Sequence, residues 1–120
     1  MTYEYKIPKI PPSLNKYAGR KNVWKYREDK QMWKALVSFS CRPKPEHPID
    51  KAVVTLTYYF PTRRRHDPDN YAGKMVLDGL TDAGIIADDS FEHIELRLRG
   101  GYDKQTPRTE ITIQEVESLE

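Results

Sequence analysis

Apolar and polar side chains alternate along four stretches of this chain, which is the pattern of half-buried β-strands. In the clearest stretch, Val54, Leu56, Tyr58 and Phe60 share one face and threonines occupy the other. The predicted strands cover residues 3–7, 52–60, 91–99 and 108–116.

Two further stretches have the spacing of helices. Apolar residues such as Trp33 and Val37 recur at helical intervals and predict a helix from residue 24 to about residue 39. A second helix is predicted over residues 68–83, with Asp67 as its N-cap, Pro68 at its first position and Gly84 just past its end.

The predicted order of elements is β-α-β-α-β-β. Because a short loop joins the last two strands, we expect them to form an antiparallel hairpin. The fold class is therefore α+β, with a mostly antiparallel sheet and the helices packed on one side. With 120 residues, the chain fits one domain spanning residues 1–120.

Composition excludes several classes of protein. The chain is 38% hydrophobic and 32% charged, and no apolar run approaches the roughly 20 residues of a membrane helix. Its N-terminus lacks the apolar core of a signal peptide. A single cysteine, Cys41, allows neither an internal disulfide nor a zinc site of paired cysteines. We therefore expect a cytoplasmic protein with no membrane partner.

Charge is unevenly distributed, although the net charge is only +2. Residues 1–45 carry 11 Lys and Arg against 3 Asp and Glu, whereas residues 67–120 carry 5 against 13. This separation fits a polyanionic partner together with an acidic metal site. It equally fits two halves that neutralise one another in the fold.

The candidate chemistry lies between residues 63 and 89. On the predicted second helix Asn70, Lys74 and Asp78 share a polar face, whereas Asp69 points to the edge of the apolar stripe. A carboxylate in that position needs a partner, because burying an unpaired charge is costly. Taken singly, however, these acids are ordinary caps and turn residues.

A divalent cation would supply the partner for Asp69. Asp67 lies two residues away, and we expect the loop after the helix to bring Asp88 and Asp89 back beside it. Carboxylates without a Cys or His cluster favour Mg²⁺, or Mn²⁺ in its place. Such an ion beside arginines is suited to phosphodiester hydrolysis, since it activates water while the arginines hold phosphate.

The same segment resembles the RusA-type Holliday junction resolvases. That family carries an arginine-rich loop, Asp-x-Asp-Asn, a lysine, Asp-Ala-Leu or a similar triplet, and an Asp-Asp pair before a strand. The matching elements here are Arg63-Arg64-Arg65, Asp67-Pro68-Asp69-Asn70, Lys74, Asp78-Gly79-Leu80 and Asp88-Asp89, together with Pro11-Pro12-Ser13-Leu14-Asn15 as a Pro-Pro-Ser-x-Asn element. Length and element order extend the resemblance over most of the chain.

The resemblance implies roles for individual residues. Asp67, Asp69 and Asp89 correspond to the metal-binding catalytic acids, and Lys74 to the catalytic lysine. The supporting residues are Asn70, Asp78 and Asp88, of which Asp78 is placed to pair with Lys74 one helical turn away.

One spacing departs from the family pattern. Two residues separate the asparagine from the lysine in that pattern, whereas three separate Asn70 from Lys74. Either the helix starts at a different residue here, or a bulge at Gly73 accommodates the additional residue.

Basic residues in two loops are candidates for contact with DNA, because their side chains can hold phosphates. The predicted DNA-binding residues are Arg63, Arg64, Arg65, Asn15, Lys16, Arg20 and Lys21. The alternative is that both loops are merely solvated.

The leading hypothesis is a Mg²⁺-dependent endonuclease that resolves four-way DNA junctions in recombination and repair. The resemblance implies a homodimer that makes paired symmetrical nicks, and members of this family are often prophage-borne. Two alternatives stay open: a metal-dependent nuclease acting on other branched or duplex DNA, and a non-catalytic DNA-binding module.

Overall fold

The computed structural model describes residues 1–18 and 22–120. Its strands and helices are β1 Thr2–Ile7, α1 Val23–Ser40, β2 Ala52–Phe60, α2 Lys74–Asp82, β3 Ile94–Tyr102 and β4 Arg108–Glu115. Within the described ranges, the 3₁₀ turn Leu14–Tyr17 precedes α1 and the 3₁₀ turn Pro68–Asn70 precedes α2. None of the helices in the described ranges is long and apolar enough to cross a membrane. The predicted order of strands and helices is confirmed.

The four strands form one sheet in the order β1-β4-β2-β3. β4 runs antiparallel to both β1 and β2, whereas β2 and β3 are parallel and connected through α2. The mostly antiparallel α+β class is therefore confirmed, but the predicted β3–β4 hairpin is wrong because β2 lies between these strands.

The loop that replaces the hairpin crosses the end of β2. The backbone N–H of Asp103 donates to the carbonyl of Phe60 over 2.9 Å. The Asp103 carboxylate then accepts hydrogen bonds from Thr106 and Arg108, and these bonds keep the pKa of Asp103 well below its ordinary value. A short loop can thus connect two strands that are not neighbours in the sheet, because hydrogen bonds to the Asp103 side chain fix the loop backbone.

Both helices cover the same face of the sheet. The residues of β2 alternate between buried and half-buried, and Val54, Leu56, Tyr58 and Phe60 are on the buried face as predicted. The two helices touch where Gly79 meets Val37, because a Cβ on Gly79 would lie 2.8 Å from a Val37 methyl group. This one-sided packing leaves the opposite face of the sheet partly open to solvent.

β3 begins later than predicted, at Ile94 rather than at residue 91. Residues 90–93 form a turn in which the Ser90 carbonyl accepts bonds from the N–H groups of His93 and Ile94. At the other end the strand continues through Gly100 and Gly101, whose backbones pair with those of Tyr58 and Tyr59. Sheet pairing has here overridden the turn propensity of two glycines.

The segment predicted as one helix over 68–83 is in fact two pieces. A 3₁₀ turn at Pro68–Asn70 is separated from α2, which begins only at Lys74. Gly73 stands between them with φ = +86°, a left-handed conformation that glycine adopts without strain. The additional residue between Asn70 and Lys74 is therefore accommodated by a later helix start, with Gly73 as its N-cap.

Candidate active site and nucleic-acid interface

The arginine-rich loop and the first acid are directly linked. Arg65 Nε donates a 2.9 Å hydrogen bond to Asp67 Oδ1, with 88% and 41% of the two side chains exposed. Asp67 makes no capping bond with its side chain, contrary to the predicted N-cap. Its carbonyl instead accepts from Asn70 N–H, which closes the 3₁₀ turn that carries the exposed Asp69. Asp67, Asp69 and Asn70 thus lie at one end of the sheet, with the arginines.

Lys74 stands at the start of α2, directly after this turn. Its Nζ lies 3.5 Å from Asp78 Oδ2, as the i,i+4 spacing predicts, and 58% of the Lys74 side chain is exposed. Lys30 of α1 approaches the same carboxylate oxygen at 3.4 Å. Asp78 therefore links the two helices and restrains Lys74 while leaving its ammonium group accessible.

Asp88 and Asp89 lie at the opposite end of the sheet. The N–H of Ala87 bonds to the carbonyl of Ile49, before β2 begins, whereas Asp67 lines a cavity with Leu98. Leu98 is four residues beyond the start of β3, which corresponds to about 13 Å along the strand. The expectation that one chain brings these acids back beside Asp67 is therefore wrong.

The cause is the parallel β2-α2-β3 connection. Helix α2 carries the chain back along β2 before β3 repeats its direction, so residues before β3 and residues after β2 are at opposite ends. Ligands of one Mg²⁺ ion lie about 2 Å from the metal and hence within about 4 Å of one another. In the described ranges, no three His, Cys, Asp or Glu side chains are grouped closely enough to hold a metal.

The carboxylates nevertheless suit a hard cation in their chemistry and exposure. Asp69 is exposed, and Asp67, Asp88 and Asp89 are half-buried, so all four present oxygen ligands near solvent. Asp67 and Asp69 lie at one end of the sheet, and Asp88 and Asp89 lie at the far end. The carboxylate oxygens at both ends are ligands of the kind that Mg²⁺ prefers.

The N-terminal loop lies next to the Lys74 end of the site. Pro11, Pro12 and Leu14 line a small cavity together with Asn70 and Lys74. Ser13 caps the 3₁₀ turn of this loop through a bond from the N–H of Asn15, which is exposed. Arg20 and Lys21 lie outside the described residues.

Lys16 is anchored by a residue that the sequence analysis missed. Its Nζ lies 3.2 Å from Asp29 Oδ2, and the hydroxyl of Tyr17 donates to the same oxygen over 2.6 Å. Lys25 approaches the other oxygen at 3.3 Å. Asp29 is only 5% exposed although it follows Glu28 in a strongly charged helical segment, and only its i,i+4 spacing from Lys25 hinted at an ion pair.

Burial and hydrogen bonding act in opposite directions on Asp29. Burial alone would raise its pKa, but the bonds from Tyr17, Lys16 and Lys25 outweigh burial and lower it. The same arrangement raises the pKa of Tyr17, through burial and through its bond to the carboxylate. Asp29 thus stays ionised and ties the N-terminal loop to α1.

Aromatic rings surround the residue before Asp67. The imidazole of His66 stacks on Phe60 with ring centroids 3.7 Å apart and an angle of 5° between the planes. Tyr71 meets both rings edge-on. The guanidinium of Arg63 lies 4.0 Å from the centre of the Tyr102 ring, at the end of β3. The structure thus adds planar stacking surfaces to the predicted arginines.

The model of the family described as endodeoxyribonuclease RusA matches residues 8–114, which is nearly the whole chain. No curated protein matches the chain. The matched range contains the arginine loop, Lys74 and the three candidate metal-binding acids Asp67, Asp69 and Asp89. The chain therefore belongs to the RusA family of metal-dependent endodeoxyribonucleases, phosphodiester hydrolases that act on Holliday junctions.

Proposed function

We propose that this protein is a Mg²⁺-dependent homodimer that resolves four-way DNA junctions by paired symmetrical nicks, in DNA recombination and repair. Each active site would combine Asp67 and Asp69 of one subunit with Asp89 of the partner subunit. The observation that carries this proposal is the placement of these acids at opposite ends of a parallel strand pair.

Two-fold symmetry turns this separation into two identical sites. When the axis crosses the strand direction, the Asp67 end of each copy meets the Asp89 end of the other. One dimer then contains two complete acid sets, related by the same axis as the strands of a symmetrical junction. Paired incisions need such an arrangement, and a single chain does not supply it.

The other residues have roles that follow from their charge. Bound by the acids, Mg²⁺ would lower the pKa of a water molecule and offset the charge of the phosphate. Lys74, restrained by Asp78, would add a positive charge where negative charge develops. Arg65 holds Asp67 and, with Arg63 and Arg64, would hold the phosphate backbone. Because its substrate is DNA, we propose the cytoplasm as its place of action.

Mixing two inactive variants tests the shared site. Asp69→Asn and Asp89→Asn should each abolish nicking while junction binding stays intact or tightens, since a negative charge near phosphate is removed. A heterodimer of the two retains one complete site only when each site draws on both subunits. We expect each heterodimer to nick a single strand of the junction, at about half the rate of a wild-type dimer. Because random refolding makes about half of the dimers heterodimers, the mixture as a whole should retain about a quarter of the wild-type rate.

Two outcomes would contradict the proposal. An inactive mixture, with heterodimers verified by differential tagging, would show that each site uses the acids of one chain. Equal cleavage of a linear duplex of the same sequence would favour a nuclease of broader specificity. Omitting Mg²⁺, and replacing it with Mn²⁺ or Ca²⁺, tests the identity of the metal.

A further inference from the structure

Beside Asp67, the alternating pattern of β3 lacks one side chain. Ile94, Leu96 and Leu98 point towards the helices, and Tyr102 follows with the same alternation, but position 100 is glycine. A cleft of about 360 Å³ is open there, lined by Phe60, Arg63, His66, Gly100, Gly101 and Tyr102. It adjoins a smaller cavity that Asp67 lines together with Gly100.

Packing does not require a glycine at position 100. Among the residues that the structure describes, a Cβ built there would meet only Phe60, at an ordinary contact distance of 3.9 Å, and the backbone φ is not positive. Gly101 differs, because its Cβ would lie 2.8 Å from Tyr59. Glycine weakens a strand, and it often marks a place where a ligand approaches closely. Gly100 therefore leaves space for something other than the protein itself.

The walls of the cleft consist of flat, stacked groups. His66 lies parallel to Phe60, and the guanidinium carbon of the exposed Arg63 lies over the ring of Tyr102, 4.0 Å from its centre. Aromatic rings and arginine planes are the surfaces on which unstacked nucleobases are held. A phosphate group alone would use the arginine charge but not the aromatic faces.

We propose that this cleft binds one unstacked nucleobase next to the phosphate that is cleaved, and so selects the position of the nick. The proposal rests on the proposed function, because it places the cleft beside the Asp67 half of the active site. Unstacking a base costs least where stacking is already interrupted. The branch point of a junction offers such bases.

The test is a set of dissociation constants measured without a cleavage-supporting metal. An abasic site is placed in turn at each position within three nucleotides of the branch point. At one position we expect wild-type affinity to fall about tenfold, as for the loss of one base stack. Gly100→Val, which fills the cleft, should bind the intact and abasic junctions equally within about twofold, while its melting temperature stays at or above that of wild type.

Arg63→Lys separates base stacking from phosphate contact. Lysine keeps the charge but loses the planar surface, so this variant should lose the abasic discrimination. Arg97→Lys is the matched control, because Arg97 is an exposed arginine on β3 that pairs with Glu95. It should retain the tenfold difference.

The proposal would be overturned if no abasic position weakened wild-type binding, or if Gly100→Val showed the same loss as wild type. Retained discrimination in Arg63→Lys would show that the guanidinium plane does not hold the base and would also overturn it. Since these are binding measurements, they stand apart from the mixing experiment. If junction affinity did not depend on a base in the cleft, the proposal of a shared active site would still stand. If the mixture of variants were inactive, the proposal for the cleft would likewise still stand.

Discussion

The hydroxyl of Tyr17 donates a 2.6 Å hydrogen bond to Asp29, and this contact joins the N-terminal loop to α1. Lys16 and Lys25 complete the surroundings of the carboxylate. The loop fixed in this way is the one that lies against Asn70 and Lys74. A buried charge on α1 thus positions the residues that we expect to contact DNA.

Replacing Asp29 should destabilise the protein. Asp29→Asn removes the charge that two lysines and a tyrosine share, and we expect a loss of about 1–3 kcal/mol in the free energy of unfolding. Urea denaturation at pH 7 measures this loss. Glu28→Gln is the matched control, because Glu28 is 76% exposed and its 3.8 Å pair with Lys25 contributes little. Equal losses in both variants would contradict a special role for Asp29.

The lowered pKa of Asp29 predicts that its contribution to the free energy of unfolding depends on pH. The pKa of Asp29 is lower in the folded protein than in the unfolded chain, so its ionisation stabilises the fold above the unfolded value of about 3.9. That contribution disappears as the pH falls through the folded pKa. The difference in stability between wild type and Asp29→Asn should therefore shrink on going from pH 7 to pH 3. A difference that grew on acidification would refute the assigned direction of the shift.

Gly73 and Gly84 provide a matched pair of substitutions. Both have positive φ, +86° and +76°, but a Cβ on Gly73 would clash with Leu56, whereas a Cβ on Gly84 would have none of the described residues within 4 Å. Gly84→Ala should cost about 1–2 kcal/mol from backbone strain alone. Gly73→Ala should cost about 1–3 kcal/mol more through the clash. Thermal unfolding compares the two, and similar losses would show that the contact with Leu56 relaxes freely.

Lys74 should affect cleavage far more than binding. Lys74→Gln removes one positive charge from an exposed side chain beside the active site, and we expect the single-turnover rate of nicking to fall about 10²–10³-fold. The dissociation constant for the junction should change only about threefold, as for one phosphate contact. Lys34→Gln, which removes a lysine paired with Asp82 on the same two helices, controls for helix stability. A rate within threefold of wild type would exclude a catalytic role for Lys74.

Cys41 should be inert in the native protein. The thiol is fully buried, and this burial raises its pKa to about 12. Because the thiolate is the reactive form, alkylation at pH 8 should be at least about 100-fold slower than in urea-unfolded protein. Mass spectrometry after timed quenching follows the reaction. Rapid native labelling would indicate that the end of α1 opens frequently.

The local pattern of the chain determined most of its secondary structure. The alternation of β2 matches the strand found, and α1 differs from its prediction by one residue at either end. Such segments are readable because one face of each is buried and the other is not. Asp78 and Lys74 pair as predicted for the same reason, since an i,i+4 contact depends only on helix geometry.

Only the tertiary structure decided how these pieces meet. Short-range patterns do not reveal that β4 pairs with β2 rather than with β3, because one loop can form a hairpin or skip a strand. Nor do they reveal that the crossover through α2 makes β2 and β3 parallel and so sends Asp67 and Asp89 to opposite ends, although the motif containing them was recognisable from residue types alone. Asp29 and Gly100 were equally unpredictable, because their roles depend on neighbours such as Tyr17 and Tyr102 that local spacing cannot identify. The local sequence thus identifies the residues suited to the chemistry, whereas long-range strand pairing decides which of them can act together.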